Sequence, residues 1–328
     1  MRTMNTAFLP DPASLRVRVV RKEALTKDIV LIELASVDGQ PLPTFTAGAH
    51  IDVQLPGGLT RQYSLCDTAA ETYQIAVLKE PQGRGGSVAM HDLVHAGSEL
   101  VVGTPRNLFE LSASAQSSLL LAGGIGITPL LCMAQSLATA RRPFSLHYCT
   151  RSAEATAFRG ALAAAPYAAQ VHHHYDDGTP EQKLDLPALL SCPQPGMHLY
   201  TCGPSGFMDA VLAAARASGW PESQLHYEFF KAEPPQSEND GSFEVQVAST
   251  GEVIPVAADE TVLMALAAHG IELPASCEQG VCGTCLTRVL GGEPDHRDMY
   301  LTPEEQAQND QFLPCCSRSK SARLVLDI

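Results

Sequence analysis

The sequence predicts three modules in a row: an antiparallel β-barrel, a parallel α/β sheet, and a small C-terminal α+β module built around clustered cysteines. Three observations predict this order. Up to about Leu111 the chain reads as short strands punctuated by Gly and Pro, among them "LRVRVVRKEAL", "IVLIELAS", "TRQYSLC" and "YQIAVLKE", the pattern of an antiparallel barrel. From Ser117 strands and helices alternate, through "SSLLLAGG", "TPLLCMAQSLATA", "PFSLHYCT", "MHLYTCG" and "SGFMDAVLAAARASG", as in a parallel sheet. Last, the polar and prolyl stretch "KAEPPQSENDGS" is followed by two strands, a helix and the run "SCEQGVCGTCLTRV". The expected boundaries are 1–112, 113–231, a linker at 232–241, and 242–328.

Length and charge narrow the setting. A chain of 328 residues is long for one core. Its formal charge of −14 argues against nucleic acid, which needs basic stripes. No apolar run suits a signal peptide or a bilayer span, so the expected compartment is the cytosol. No internal repeat is visible.

There are 10 cysteines. Cys66, Cys132, Cys149, Cys192 and Cys202 are scattered singly and are expected to be buried, reduced thiols. The rest crowd into the C-terminal module. There "FEVQVAST" and "GEVIPVA" read as paired strands, and "ETVLMALAAHG" as a helix ended by Gly270. Cys277, Cys282 and Cys285 are spaced C-x4-C-x2-C, and Cys315 follows after 286–314. This spacing matches a plant-type 2Fe–2S ligand set. Gly280 and Gly283 let the loop wrap closely and aim amides at sulfur. Structural zinc usually takes two short paired hooks, and here the fourth ligand stands alone. Spacing by itself leaves Cys315 and Cys316 both open as that ligand. "LTPEEQ" reads as a structural helix start, with Thr302 as N-cap, Pro303 first in the helix and Glu305 completing a capping box.

In the first module "RQYSLCD" puts Arg61, Gln62, Tyr63 and Ser64 on one strand. "EPQGRGGSVAMHDLV" then sets Arg84, Gly85, Gly86 and Ser87 at the head of an apolar helix. An arginine beside free helix amides makes a phosphate cradle; each stretch alone could be an ordinary strand or an ordinary turn. In the second module "LLLAGGIGITPLL" runs strand, turn, helix through Gly123, Gly124 and Gly126, without the third glycine of the usual dinucleotide fingerprint. "TCGPSGFMDA" repeats the turn through Cys202, Gly203 and Pro204. Two such turns at strand C-termini define a ligand cleft. Thr150, Arg151 and Ser152 could meet an adenosine, and Asp176 a ribose hydroxyl; a solvated loop is the plain alternative. "HHHY" (His172 to His174) is expected to be an exposed strand, because neighbours on a strand point to opposite faces.

These motifs in this order resemble the phthalate dioxygenase reductase family, within the ferredoxin-NADP reductase superfamily and including the reductase components of vanillate O-demethylases. The resemblance runs from about Leu15 to the C-terminus. It implies an FMN barrel in which Arg84 clamps a terminal phosphate, Tyr63 lies on the flavin ring and Ser64 meets a ring nitrogen. Ala76, Lys79, Thr128 and an aromatic, Phe229 or Phe230, would complete that site. It also implies a β-grasp ferredoxin fold for the last module and selects Cys315 over Cys316. Arg151 and Ser152 would also suit a 2′-phosphate, so NADH over NADPH comes from the resemblance alone.

The implied activity passes hydride from NADH to FMN, then single electrons through the cluster to a partner Rieske-type oxygenase that acts on an aromatic compound. No side chain need serve as acid or base, so residues such as Ser64 and Thr128 act by positioning cofactors. Two other readings stay open: an electron-carrying or redox-sensing module without NADH turnover, and a free-standing quinone or dye reductase.

Overall fold

The computed structural model describes residues 14–55, 59–68, 71–230 and 241–328. Apart from Gly241, the expected linker lies outside these residues. The chain gathers into two compact units, one ending at Glu228 and the other beginning at Phe229.

The first unit opens with β1 (Ser14–Ala24), β2 (Ile29–Ser36), β3 (His50–Gln54), β4 (Thr60–Ser64) and β5 (Thr72–Leu78). Helix α1 (Gly86–Asp92) and strand β6 (Glu99–Gly103) follow. The six strands lie in the order β4-β3-β6-β1-β2-β5 with antiparallel pairing throughout. A bridge between Leu65 and Ile75 joins the two ends of that order and closes the barrel. Alternation explains the inside and outside of β1. Val17 and Val19 point into the core, while Arg16 and Arg18 reach out to Glu99 on β6 at 2.7 and 2.9 Å. Ile32, Leu34, Ile51, Val53, Ile75 and Val102 fill the interior, each contributing about 1.5–3 kcal/mol by leaving water.

The same unit continues with β7 (Ser117–Gly123), α2 (Ile127–Thr139), β8 (Phe144–Thr150) and α3 (Arg159–Ala164). After these come β9 (Val171–Tyr175), α4 (Leu186–Leu190), β10 (Met197–Gly203), α5 (Ser205–Ala217) and β11 (Leu225–Phe229). The sheet order is β11-β10-β7-β8-β9, with β10/β7, β7/β8 and β8/β9 parallel. Central β7 is buried almost end to end, as a strand covered on both faces must be. Helix α5 buries Met208, Val211, Leu212 and Ala215, the i, i+3, i+4, i+7 stripe of a helix on a sheet. Order reverses between β7 and β10, so the glycine turns after both strands flank one switch point.

The second unit contains β12 (Phe243–Val247), β13 (Val253–Val256), α6 (Val262–Ala268), β14 (Thr287–Gly291) and β15 (Pro294–Asp295). Helix α7 (Pro303–Gln306) and strands β16 (Gln311–Phe312), β17 (Arg318–Ser319) and β18 (Arg323–Leu326) complete it. Its mixed sheet runs β13-β12-β18-β14-β16 around a core that includes Val245, Ile254, Leu266 and Phe312. The expected caps form. Thr302 and Glu305 make the reciprocal capping box of α7, and Gly270 follows α6 with φ of 77°. Among the described residues no helix is long and apolar enough to cross a membrane.

Two expectations need correction. All 10 cysteines are reduced thiols, but Cys192 is exposed and Cys149 is half-buried. Cys192 lies two residues after the end of α4, on a bend rather than inside an element. The "HHHY" strand is only partly exposed. His172 and His174 do share one face, and His147 of β8 lies beside both, stacked on His172 at 4.7 Å and 3.0 Å from His174.

Candidate functional site

The barrel brings its two expected segments together. Arg61 leaves β4 and lies against the start of α1, so that a Cβ on Gly86 would come within 2.6 Å of Arg61 Cγ. Its guanidinium donates to the Thr60 carbonyl at 2.7 Å and to the Arg84 carbonyl at 3.4 Å. Gly85 stands at φ of 81°, a left-handed conformation that turns the chain into α1. Ser87 is partly committed already, because its hydroxyl accepts from the Glu80 amide at 3.0 Å. Gln62 donates to Asp52 at 3.0 Å, and Asp52 is held by Arg106 at 2.6 Å. Lys79 pairs with Asp92 at 2.6 Å on the surface. Tyr63 packs on the barrel core, and burial raises its phenol above the usual range. Ala76 on β5 is buried, and that strand packs against the turn Gly124–Gly126 of the neighbouring sheet.

The two glycine turns at the switch point touch each other. A Cβ on Gly203 would lie 3.0 Å from Gly123 Cα, and one on Gly126 would overlap the Cys202 carbonyl. Only glycine permits that approach. Thr128 is 2 % exposed and donates its hydroxyl to the Ile125 carbonyl at 3.1 Å, which stiffens the first turn. On the adenosine side the Thr150 hydroxyl is tied to Thr156 at 2.7 Å, whereas Arg151 and Asp176 are exposed. The Asp176 amide donates to the Thr150 carbonyl at 3.0 Å, so these two loops are adjacent. Pro204 is the residue before α5, Phe229 is buried as the last residue of β11, and Phe230 is half-buried just beyond it.

One residue at this site was not singled out in the sequence. Glu228, on β11, takes a hydrogen bond from the buried Ser64 hydroxyl and lies close to Cys202. Burial lifts its carboxyl to about 8, against the ordinary 4.5. The Cys202 thiol is also pushed well up, first by burial and then by the Glu228 charge. The barrel strand of "RQYS", the turn "CGP" and the last strand of the sheet thus meet at Ser64, Cys202 and Glu228. An acidic residue in the strand "LHYEF", beside aromatics, was the available signal.

In the C-terminal unit the four expected thiols pair. Cys277 hydrogen-bonds Cys282, and Cys285 hydrogen-bonds Cys315. Among the described residues no three His, Cys, Asp or Glu side chains form a site for a single metal ion. Two pairs of thiolates suit two irons, where structural zinc would gather four ligands on one point. Backbone amides aim at the sulfurs. Gln279 and Val281 reach Cys277, Thr284 reaches Cys282 at 3.4 Å, Cys315 reaches Cys285, and Gly280 reaches Cys315. Such donors are what several thiolates around a metal centre require. The contact with Cys277 holds the Cys282 thiol below the usual range, although burial opposes it.

Gly280 and Gly283 sit at φ of 72° and 69°. A Cβ on Gly280 would lie 2.5 Å from Cys316 Sγ, and one on Gly283 would overlap the Tyr300 ring. Asp298 pins the segment that covers this loop, accepting from the amides of Tyr300 at 3.2 Å and Leu301 at 2.8 Å. Cys316 is buried, and its thiol donates weakly to the Leu313 carbonyl at 3.7 Å.

Together these modules define a class: a modular reductase with a barrel, a parallel nucleotide-type sheet and an iron–sulfur unit. Residues 245–320 match the 2Fe-2S iron-sulfur cluster binding domain family, and 104–225 match the N-terminal domain of dimethylamine monooxygenase subunit DmmA-like proteins. The vanillate O-demethylase oxidoreductase of Pseudomonas sp. (strain HR199 / DSM 7063) is 53% identical over 306 residues, covering 93% of this chain and 96% of that protein. A solved phthalate dioxygenase reductase, described as a modular structure for electron transfer from pyridine nucleotides to [2Fe-2S], superposes with a TM-score of 0.76 at 39% identity. That match covers 96% of this chain and 98% of the other. An intact type IV self-sufficient cytochrome P450 monooxygenase superposes at TM-score 0.81 and 38% identity over 96% of this chain, which spans 41% of that longer one. The chain belongs to the family of oxygenase-system reductases that contains the vanillate O-demethylase oxidoreductases and phthalate dioxygenase reductase.

Proposed function

We propose that the protein is the NADH-dependent reductase of a Rieske-type oxygenase that demethylates or hydroxylates an aromatic acid of the vanillate type, and that it works in the cytoplasm, where thiols stay reduced. The observation that carries this reading is the meeting of Ser64, Cys202 and Glu228 in one unit, with a paired set of four cysteines in the other. The 53% identity to a vanillate O-demethylase oxidoreductase supports the choice of substrate class.

What bound FMN supplies is conversion of an electron pair into single electrons, and what a bound 2Fe–2S cluster supplies is carriage of one electron at a time. The chain's part is to hold and orient. Arg61, Arg84 and the turn through Gly85, Gly86 and Ser87 take the flavin phosphate, with Lys79 nearby. Tyr63 and Ala76 flank the ring, and Gln62 stiffens their strand through Asp52. Ser64 presents a hydroxyl backed by Glu228, a carboxyl that stays protonated at neutral pH and can hold a proton without a bare charge. Gly123, Gly124, Gly126, Thr128, Cys202, Gly203 and Pro204 form the floor on which the nicotinamide lies. Arg151 and Asp176 meet the adenosine half beside Thr150, and Phe230 supplies the aromatic after β11. Hydride transfer needs the two rings within about 3–3.5 Å, and Gly124, with no atom within 4 Å of its Cβ position, leaves room on that floor. Cys277, Cys282, Cys285 and Cys315 hold the cluster.

The test is anaerobic mixing of the purified holoprotein with NADH while visible absorbance and electron paramagnetic resonance are followed. Prompt bleaching of flavin absorbance, then a reduced-cluster signal, supports the reading. A flavin unchanged by NADH would mark an electron carrier, and cluster-independent turnover with the physiological acceptor a dye-type reductase.

A further inference from the structure

The Ser64–Glu228 contact has a third member on the barrel. His50 begins β3, its side chain is 6% exposed, and its Nδ1 stands 3.8 Å from Glu228 Oε1. Among the described residues neither His50 Nε2 nor Glu228 Oε2 has a hydrogen-bond partner. A buried imidazole and a carboxyl whose side chain is 18% exposed therefore face one another through Nδ1 and Oε1, each with a second polar atom that has no partner, a combination that demands a reason. Residues all round the pair bear on how it titrates. Arg106, bridged to His50 through the backbone, opposes a charged imidazole, and Asp52, itself tied to Arg106, favours one. Glu228 faces the Ser64 hydroxyl and the Cys202 thiol.

We propose that His50 is a positioning residue that acts through Glu228: imidazole and carboxyl share one proton behind Ser64. The proton moves along one short path. The O–H bond of the Glu228 carboxyl breaks as an N–H bond forms on His50 Nδ1, and the pair passes from neutral to an ion pair without exchanging anything with solvent. Closing the 3.8 Å gap to hydrogen-bond length takes about 1 Å of side-chain movement. The gain is that Glu228 can ionise toward Ser64 with its charge compensated by the imidazole. Burial opposes charge on both members, holding the imidazole down and the carboxyl up, so the proton is shared only where the two are in contact.

This inference rests on the reading of the cleft as the place where flavin and nicotinamide meet, but it is tested separately. Carboxyl-labelled glutamate in the oxidised holoprotein is titrated by carbon NMR, with the Glu228 resonance identified by its loss in Glu228→Gln. We expect His50→Asn, which removes the proton acceptor, to raise the Glu228 midpoint by at least one pH unit, a tenfold change in its ionisation. An unchanged midpoint in that variant overturns the proposal. Should His50→Asn not fold, nitrogen NMR of the parent imidazole decides: a second step in the His50 shifts at the Glu228 midpoint supports sharing, and a flat response there sinks it. Loss of flavin bleaching by NADH with the coupling intact would instead overturn the functional reading and leave the pair standing.

Discussion

Ser64, the last residue of barrel strand β4, gives its hydroxyl to Glu228, which lies on the edge strand β11 of the parallel sheet. The barrel and the sheet are thereby joined by a polar contact at the place where both carry their most specific sequence motifs.

Glu228 makes stability depend on pH in a defined sense. Its carboxyl ionises at about 8 in the fold against an ordinary 4.5. Between those values the folded protein holds a proton that the unfolded chain has lost. The contribution is complete below the unfolded value and is lost as pH rises through about 8. We expect unfolding free energies from urea titrations to decline over this window by up to ~1.4 kcal/mol per pH unit, and Glu228→Gln to flatten the decline. Equal slopes in parent and variant would contradict this.

Histidines act at the other end of the scale. His50, His147 and His226 are held to about 4, each mainly by burial, against the ordinary 6.5. Their contribution is complete above 6.5 and disappears as pH falls through about 4. Melting temperature should therefore drop steeply between pH 6 and 4, and His147→Gln should make that drop shallower.

Gly280→Ala places a methyl group against Cys316 at a left-handed backbone position. Strain of about 1–3 kcal/mol is expected at such a site. Iron and acid-labile sulfide per chain should fall while flavin content stays at the parent level. Full iron content in the purified variant would show that the loop relaxes freely.

Cys285→Ser removes one member of the Cys285–Cys315 pair. We expect the cluster's absorbance to vanish, ferricyanide reduction directly from flavin to persist, and reduction of cytochrome c or the oxygenase to be lost. Retained cytochrome c reduction would mean that electrons leave by another route.

Arg84→Ala tests the phosphate end of the barrel. Arg84 is exposed, and its carbonyl is gripped by Arg61. The variant should lose FMN on gel filtration at least tenfold faster than the parent. Equal retention would assign the phosphate to Arg61 and the α1 turn alone.

Local chemistry was legible from the residues in order. The spacing Cys277, Cys282, Cys285 announces a thiolate loop because ligands of one small centre must lie within a few residues' reach. Thr302 and Glu305 announce a helix start because capping is satisfied within one turn. The glycines of the two switch-point turns were equally visible, since each marks a backbone that cannot carry a Cβ. Cys192 was misjudged because an apolar neighbourhood in sequence does not reveal which side of a short helix end faces water. The strand of His172 to His174 was read alone, and the imidazole that joins it, His147, comes from the adjacent strand.

Thus the sequence by itself determined the order of the modules, the alternation that sorts barrel residues inside and outside, and the thiolate loop of Cys277, Cys282 and Cys285. Only the tertiary structure decided that Glu228 sits against Ser64 with His50 behind it. The physical reason is that β3, β4 and β11 are brought together by sheet order and barrel closure. Those depend on burial summed over two cores, and no spacing along the chain encodes the meeting of three residues so far apart. Burial then changes what the residues are: a carboxyl that would be charged on any exposed loop keeps its proton there.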